Sequence, residues 1–156
     1  DQLDIKAFTR IVKAKVGFMN DMKKHGSISS MEKGELPVNN ETINFFYRGL
    51  WYQFKWNNKI KSTLKTKLNI ELFTKKILKD VFHIQDERTS TKIDYLEGNY
   101  DIDDIEHVAT MDKVYFTFNP LSKKEFRSII NVGIYLPPKA TWFSPRIKSG
   151  LINADL

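Results

Sequence analysis

Two stretches of this chain gather side chains that could handle an anion. In the last quarter, Leu136 to Leu151, Lys139, Thr141, Ser144, Arg146, Lys148 and Ser149 surround Trp142 and Phe143. Cations and hydroxyl donors beside apolar rings suit a phosphate or carboxylate on a partly apolar ligand. Pro137, Pro138, Pro145 and Gly150 exclude a regular helix, and the segment is too apolar for a disordered tail, so an ordered loop is expected. The plainer alternative is a surface turn whose aromatics plug the core and whose cations are solvated. The second stretch is Asp86-x-Arg88-Thr89-x-x-Lys92-x-Asp94. It places acids and bases between a helix end and the mouth of a strand, where open α/β sheets bind ligands. Its alternative is an internal salt-bridge network.

Other chemistries fail on spacing. Glycines stand singly, so neither a Walker-type phosphate loop nor a G-x-G-x-x-G is present. His25, His83 and His107 form no ligand pair, and each reads as a surface or helix-end residue. Asp101, Asp103, Asp104 and Glu106 lack the glycine and distant glutamate of a calcium loop, and capping of a helix start explains them better. No Ser/His/Asp arrangement stands out, so neither a catalytic residue nor a metal site is assigned.

The elements that must position these residues follow from periodicity. Leu3 to Val12 reads as a strand followed by a turn of helix or a second extended piece. Ala14 to His25 carries Val16, Met19 and Met22 at helical spacing, with Gly26 as its stop and Ser27 to Asn40 as a loop that could hold a short edge strand. Ile43 to Tyr47 and Leu50 to Trp56, split by Arg48-Gly49, predict a β-hairpin with aromatics on both faces. Tyr52, Phe54 and Trp56 share one face, and core packing explains them better than a base-stacking platform. Asn57 to Lys67 reads as a lysine-rich loop, and Asn69 as the cap of a helix to Phe82.

From Lys92 the order is strand to Leu96, helix Ile102 to Ala109, strand Lys113 to Phe118, helix Ser122 to Val132, then the Pro-rich loop and a last short strand near Leu151. That alternation predicts crossovers and parallel neighbours in the sheet. The fold class is therefore mixed α/β (α+β): one domain over 1–156, with a β-hairpin followed by β-α-β-α-β crossovers in a mixed sheet flanked by helices.

A chain of 156 residues with 41% apolar content can bury one core. It has no cysteine and no long apolar run, so neither a disulfide framework nor a membrane partner is expected, and the cytoplasm is the default compartment. It starts without Met, as a piece of something longer would. The net charge is +6 but patchy: Lys55 to Lys79 holds eight lysines against Glu71 alone, and Asp94 to Glu106 holds six acids and no Lys or Arg. A non-catalytic binding or scaffold module, engaging nucleic acid through Lys55 to Lys79, is the competing reading. A solvated lysine surface is the simpler account, so a nucleic-acid partner is not expected.

Three segments resemble, in order and spacing, the C-terminal part of the bacterial domain of unknown function numbered 1015. They are Ile84-Gln-Asp-Glu-Arg-Thr-Ser-Thr-Lys-Ile-Asp-Tyr-Leu-Glu-Gly98, Phe116-Thr-Phe-Asn-Pro120, and Leu136-Pro-Pro-Lys-Ala-Thr-Trp-Phe-Ser-Pro-Arg-Ile-Lys-Ser-Gly-Leu151. Tyr47-Arg-Gly-Leu-Trp-Tyr52 and Phe8-Thr-Arg-Ile-Val-Lys13 also look like family stretches. Members of this largely uncharacterised family are longer. Upstream they carry an Asp-Gly-His-His-Arg motif, similar to one in ParB-like nucleotide-binding proteins and free-serine kinases, that nothing here matches. The resemblance implies the C-terminal half of a nucleotide-dependent small-molecule phosphotransferase. The upstream half would be its partner, a small anionic metabolite its ligand, and a nucleotide with Mg its cofactors; the residues themselves make no cofactor evident. Leu136, Arg146 and Glu97-Gly98-Asn99 depart from the family pattern, and arginine in place of lysine changes phosphate geometry.

Overall fold

The computed structural model describes residues 4–6, 8–63, 69–96, 100–119 and 142–144, with single helical positions at 124 and 127. Its centre is a six-stranded sheet in the order β3-β5-β4-β7-β2-β6. The strands are β2 (Thr9–Lys13), β3 (Gly26–Met31), β4 (Thr42–Tyr47), β5 (Leu50–Trp56), β6 (Ile93–Leu96) and β7 (Lys113–Thr117). A separate pair joins β1 (Asp4–Lys6) to β8 (Trp142–Ser144). The mixed α/β class, the hairpin and the flanking helices are as the sequence predicts.

Among the described residues every strand pairing is antiparallel, where parallel neighbours were expected. β6 and β7 do run parallel to each other and are joined through α4 (Ile102–Val108), so a β-α-β crossover is present. The early strand β2 lies between them, antiparallel to both. The alternation of elements after Lys92 is local; the insertion of β2 is a long-range event that periodicity does not carry.

The hairpin forms because Arg48 (φ 49°) and Gly49 (φ 78°) both take the left-handed backbone that a two-residue turn needs to match strand twist. Its residues alternate between two cores. Ile43, Phe45, Phe54 and Trp56 face the larger one, with Val12, Val114 and Phe116 from the central strands. Phe46 and Trp51 face the smaller one, closed by Ile105 of α4. The aromatics are thus buried on both faces, and α4 is held at its start by a reciprocal capping box between Asp101 and Asp104.

Over the larger core lie α1 (Phe18–Met22), α3 (Asn69–Leu72) and a π-helix over Phe73–Val81. In a π-helix the hydrogen bond reaches back five residues. That register places Phe73 with Leu78, and Ile77 with Phe82, on the buried side, and all four are buried.

Four local expectations change. The helix after β2 is five residues, because Gly17 (φ 78°) precedes it in left-handed backbone and the chain turns there. Gly26 starts β3, an edge strand of six residues, instead of only ending a helix. The lysine-rich loop contains α2 (Asn58–Thr63). Asn69 does not cap its own helix: its amide accepts from Trp56 Nε1 (2.9 Å) and donates to Thr42 O (2.7 Å), while Asn40 Oδ1 accepts from Asn69 N (3.1 Å). The helix Ser122 to Val132, apart from positions 124 and 127, and the last strand near Leu151 lie outside the described residues.

Candidate anion-binding site

The segment Asp86 to Asp94 is rooted by the residue between its two predicted members. Glu87 is buried and pairs with Arg10 of β2, which is fully buried, at 3.0 Å from Nε to Oε1. Tyr95 OH donates to the same Oε1 at 2.6 Å, the short distance of a hydroxyl bonded to a carboxylate. Thr74 Oγ1 lies 3.3 Å from Oε2, and Arg10 Nη1 donates to Phe8 O at 3.1 Å. The guanidinium also sits over the rings of Tyr95 and Phe118, 5.4 and 5.5 Å from their centroids. Burial lowers the Arg10 pKa against the opposing pull of Glu87 and Tyr95. Burial first, and then the Glu87 carboxylate, push the Tyr95 phenol well above its ordinary value.

On that anchor the predicted residues take separate positions. Asp86 is exposed and Oδ1 accepts from Arg88 N at 3.0 Å, while its carbonyl accepts from Ser90 N at 3.1 Å, so it shapes the turn. Arg88 and Lys92 are exposed, and Lys92 N donates to Ser90 Oγ at 3.0 Å. Asp94 is exposed on β6 and alternates to the sheet face of Leu96 and α4, away from Tyr95. Lys139, Thr141, Arg146, Lys148 and Ser149 lie outside the described residues. Of the terminal motif, Trp142–Ser144 is extended and pairs with β1, with Phe143 opposite Ile5.

A concave site lies elsewhere. At the end of the sheet where β2 and β4 finish and β7 begins, a cleft of about 360 Å³ is lined by Lys15, Val16, Phe18, Tyr47, Arg48 and Asp112, among others. The turn at Gly17 brings Lys15 back against the end of the π-helix. There Lys15 Nζ donates to Val81 O (2.9 Å), approaches His83 Nε2 (3.0 Å) and pairs with Asp21 Oδ2 (3.4 Å). An ammonium has only donors, so His83 Nε2 accepts and its ring proton sits on Nδ1. His83 reaches this position in left-handed backbone, φ 58°, a conformation uncommon for non-glycine residues and commonest among them for asparagine, aspartate and histidine.

Across the cleft the Arg48 guanidinium lies over the Tyr47 ring at 5.3 Å, with Nε 3.4 Å from Met111 O. Asp112 is held below the ordinary carboxylate range, first by the hydroxyl of Thr110 at 2.9 Å and then by backbone bonding and the charges of Lys113 and Lys13. For Asp21, loss of water is the largest single effect and raises the pKa, but Lys15 and Lys24 together outweigh it, so that carboxyl also titrates low.

Lys15 and Arg48 thus line one concave site with Phe18 and Tyr47, with the Asp112 carboxylate beside them. Sequence reasoning missed Lys15 and His83, which are 68 residues apart. The available signals were the Gly17 turn straight after Lys15 and the hairpin turn at Arg48. Lys92 belongs to the same end of the sheet, since the next residue, Ile93, pairs with Val12.

No family model matches the chain. No curated protein matches it either. Among solved structures it is similar to SbnI with C-terminal truncation from Staphylococcus aureus, at 17% identity and a TM-score of 0.56, over 94% of this chain and 53% of that one. The chain therefore spans about half the length of that structure, and the likeness is one of fold. No helix among the described residues is long and apolar enough to cross a membrane.

Proposed function

We propose that this chain binds a phosphate-bearing small molecule in the cleft between Lys15 and Arg48, as one part of a larger phosphotransferase-like protein. The observation that carries the reading is that Lys15 and Arg48 both line one concave, partly apolar site; Lys15 is held by Val81 O, His83 and Asp21, so a ligand anion would take the place of one of these three acceptors on its ammonium. The phosphotransferase class rests on the resemblance of these segments to the family numbered 1015, and the likeness to half of a longer solved chain is compatible with a partial architecture. A nucleotide with Mg²⁺ would meet two cations and the Asp112 carboxylate. Magnesium is commonly held by one or two carboxylates and the phosphates themselves, so the donor set fits.

The test is thermal denaturation with inorganic phosphate, pyrophosphate, ATP and phosphoserine, on the parent and on Lys15→Ala, Arg48→Ala and Arg88→Ala. A ligand at a hundred times its dissociation constant stabilises by ~2.7 kcal/mol. The expected result is stabilisation that Lys15→Ala and Arg48→Ala remove and Arg88→Ala keeps. Loss with Arg88→Ala alone would move the site to the Asp86 to Asp94 segment. No stabilisation by any of these ligands would sink the anion reading.

A further inference from the structure

Six large apolar side chains are exposed among the described residues, and four of them stand at one end of the sheet. That end is where β2 and β4 finish and β5 and β7 begin. Val16, 98% exposed, lies in the turn after β2; Leu50, 58%, leaves the hairpin turn; Met111, 65%, lies in the turn before β7, and Val108 ends α4. Short links gather these turns. Arg48 Nε lies 3.4 Å from Met111 O, Ala14 N donates to Asp112 O at 2.7 Å, and Val16 and Arg48 line one cleft. Single apolar side chains are ordinary on a surface, but a concentration of them marks an interaction site.

The same end is cationic. Lys13 and Lys113 stand directly opposite each other in the β2–β7 ladder, on the face of Ile11, Tyr115 and α4. Like charges in that position repel. Neither forms an ion pair among the described residues, nor does Lys92, which precedes the Ile93–Val12 pair. Lys15 and Arg48 add to them. Against these cations stand Asp112 and an Asp21 that Lys15 and Lys24 already engage. Asp94 is one row further in, opposite Ile11, and Glu32 and Lys33 beyond β3 offset each other. α4 carries Asp101, Asp103 and Asp104 at its start, at the far end of the sheet, and Glu106 is bonded to Trp51 Nε1 at 2.8 Å.

We infer that this end docks on a membrane surface that carries anionic lipid. A peptide or helix partner is received in a groove or along a sheet edge. Here the apolar groups project from separate turns with cations beside them. That arrangement fits a surface that yields around each tip while its headgroups meet the lysines. Attachment of this kind needs no spanning helix. Lys13, Lys92 and Lys113 do not line the cleft, so the inference does not depend on what the cleft binds.

The experiment is co-sedimentation of the purified chain with vesicles of phosphatidylcholine, alone and with phosphatidylserine. Binding is expected only with phosphatidylserine, and is expected to fall as salt rises. Lys13→Ala and Lys113→Ala should each weaken it about fivefold and leave the fold intact, since each removes one of two opposed like charges. Val16→Ser and Met111→Ser, at exposed positions, should weaken it as well. Lys55→Ala and Val38→Ser are the controls. Both side chains are exposed, Lys55 near the end of β5 and Val38 in the loop leading into β4, at the other end of the sheet, and neither change should matter. No binding to phosphatidylserine vesicles overturns the proposal, as does binding that the two controls weaken equally. Binding that needs the lysines but ignores Val16→Ser and Met111→Ser also overturns it, and gives the surface to an acidic protein instead.

Discussion

Arg10 and Glu87 are charged residues with essentially no access to water, and everything around them compensates for that cost. Each lone charge would be strongly disfavoured in the core, but the ion pair, the Tyr95 hydroxyl and the Phe8 carbonyl satisfy them together. Glu87→Ala should therefore cost about 3–5 kcal/mol, because it strands the guanidinium under Tyr95 and Phe118. Arg10→Met with Glu87→Leu should lose much less, since it removes both charges and keeps the volume. Urea denaturation of the two variants checks this, and equal losses would mean that packing, not the stranded charge, sets the cost. None of this pairing is visible in the sequence. The partners are 77 residues apart, and Glu87 sits in a polar stretch where Asp86 and Arg88 draw equal notice. The sequence marks the segment, and the internal salt-bridge alternative is met at Glu87, the residue between the two it singles out, while the exposed residues on either side are what that anchor presents.

At the scale of elements, legibility follows how much of the signal is local. The hairpin, α4 and β7 can be read because alternation and capping are contained within each. β3 cannot, because Ser27, Ser29 and Ser30 give an edge strand no apolar alternation. The π-helix is read as an ordinary helix because Ile70, Phe73, Ile77, Leu78 and Val81 also fall on one α-helical stripe, so the apolar pattern does not distinguish the two registers. Gly26 is the sharpest case. It looks like a helix stop, yet its role is close approach: a Cβ there would collide with Lys55 O and the Phe54 ring. At Gly17 nothing lies within 4 Å of an added Cβ, and only the left-handed backbone opposes one. Gly17→Ala should therefore cost about 1–2 kcal/mol. Gly26→Ala should cost at least as much through overpacking, about 1–3 kcal/mol, and should also loosen β3 from β5. The distinguishing readout is amide exchange at Ser27 and Ser29, expected to accelerate in Gly26→Ala and to stay at the parent rate in Gly17→Ala.

For the whole molecule, the order of strands matters more than the count of them. β4, β7 and β2 are central, each paired on both sides, and they come from sequence positions spread between Thr9 and Thr117. The sheet closes only when the first and last of these meet, which is why a reading that proceeds along the chain supplies the parts and the class but not the antiparallel insertion of β2. The same topology gathers the turns after β2, within the hairpin and before β7 at one end, making the cleft from residues as distant as Lys15 and Asp112. Closure by the central strands predicts a hierarchy of stability. Amides of Phe45, Phe116 and Val12, buried at the middle of the sheet, should exchange only through global unfolding. Those of β6, four residues at an edge, and of α2, a short helix off the sheet, should open at lower cost. Native-state hydrogen exchange across a denaturant series separates the two. If the β6 amides merge with the central strands at the lowest denaturant, the Arg10–Glu87–Tyr95 anchor ties that edge into the global unit. If they exchange early, the anchor holds Glu87 to β2 without securing the strand that carries Tyr95.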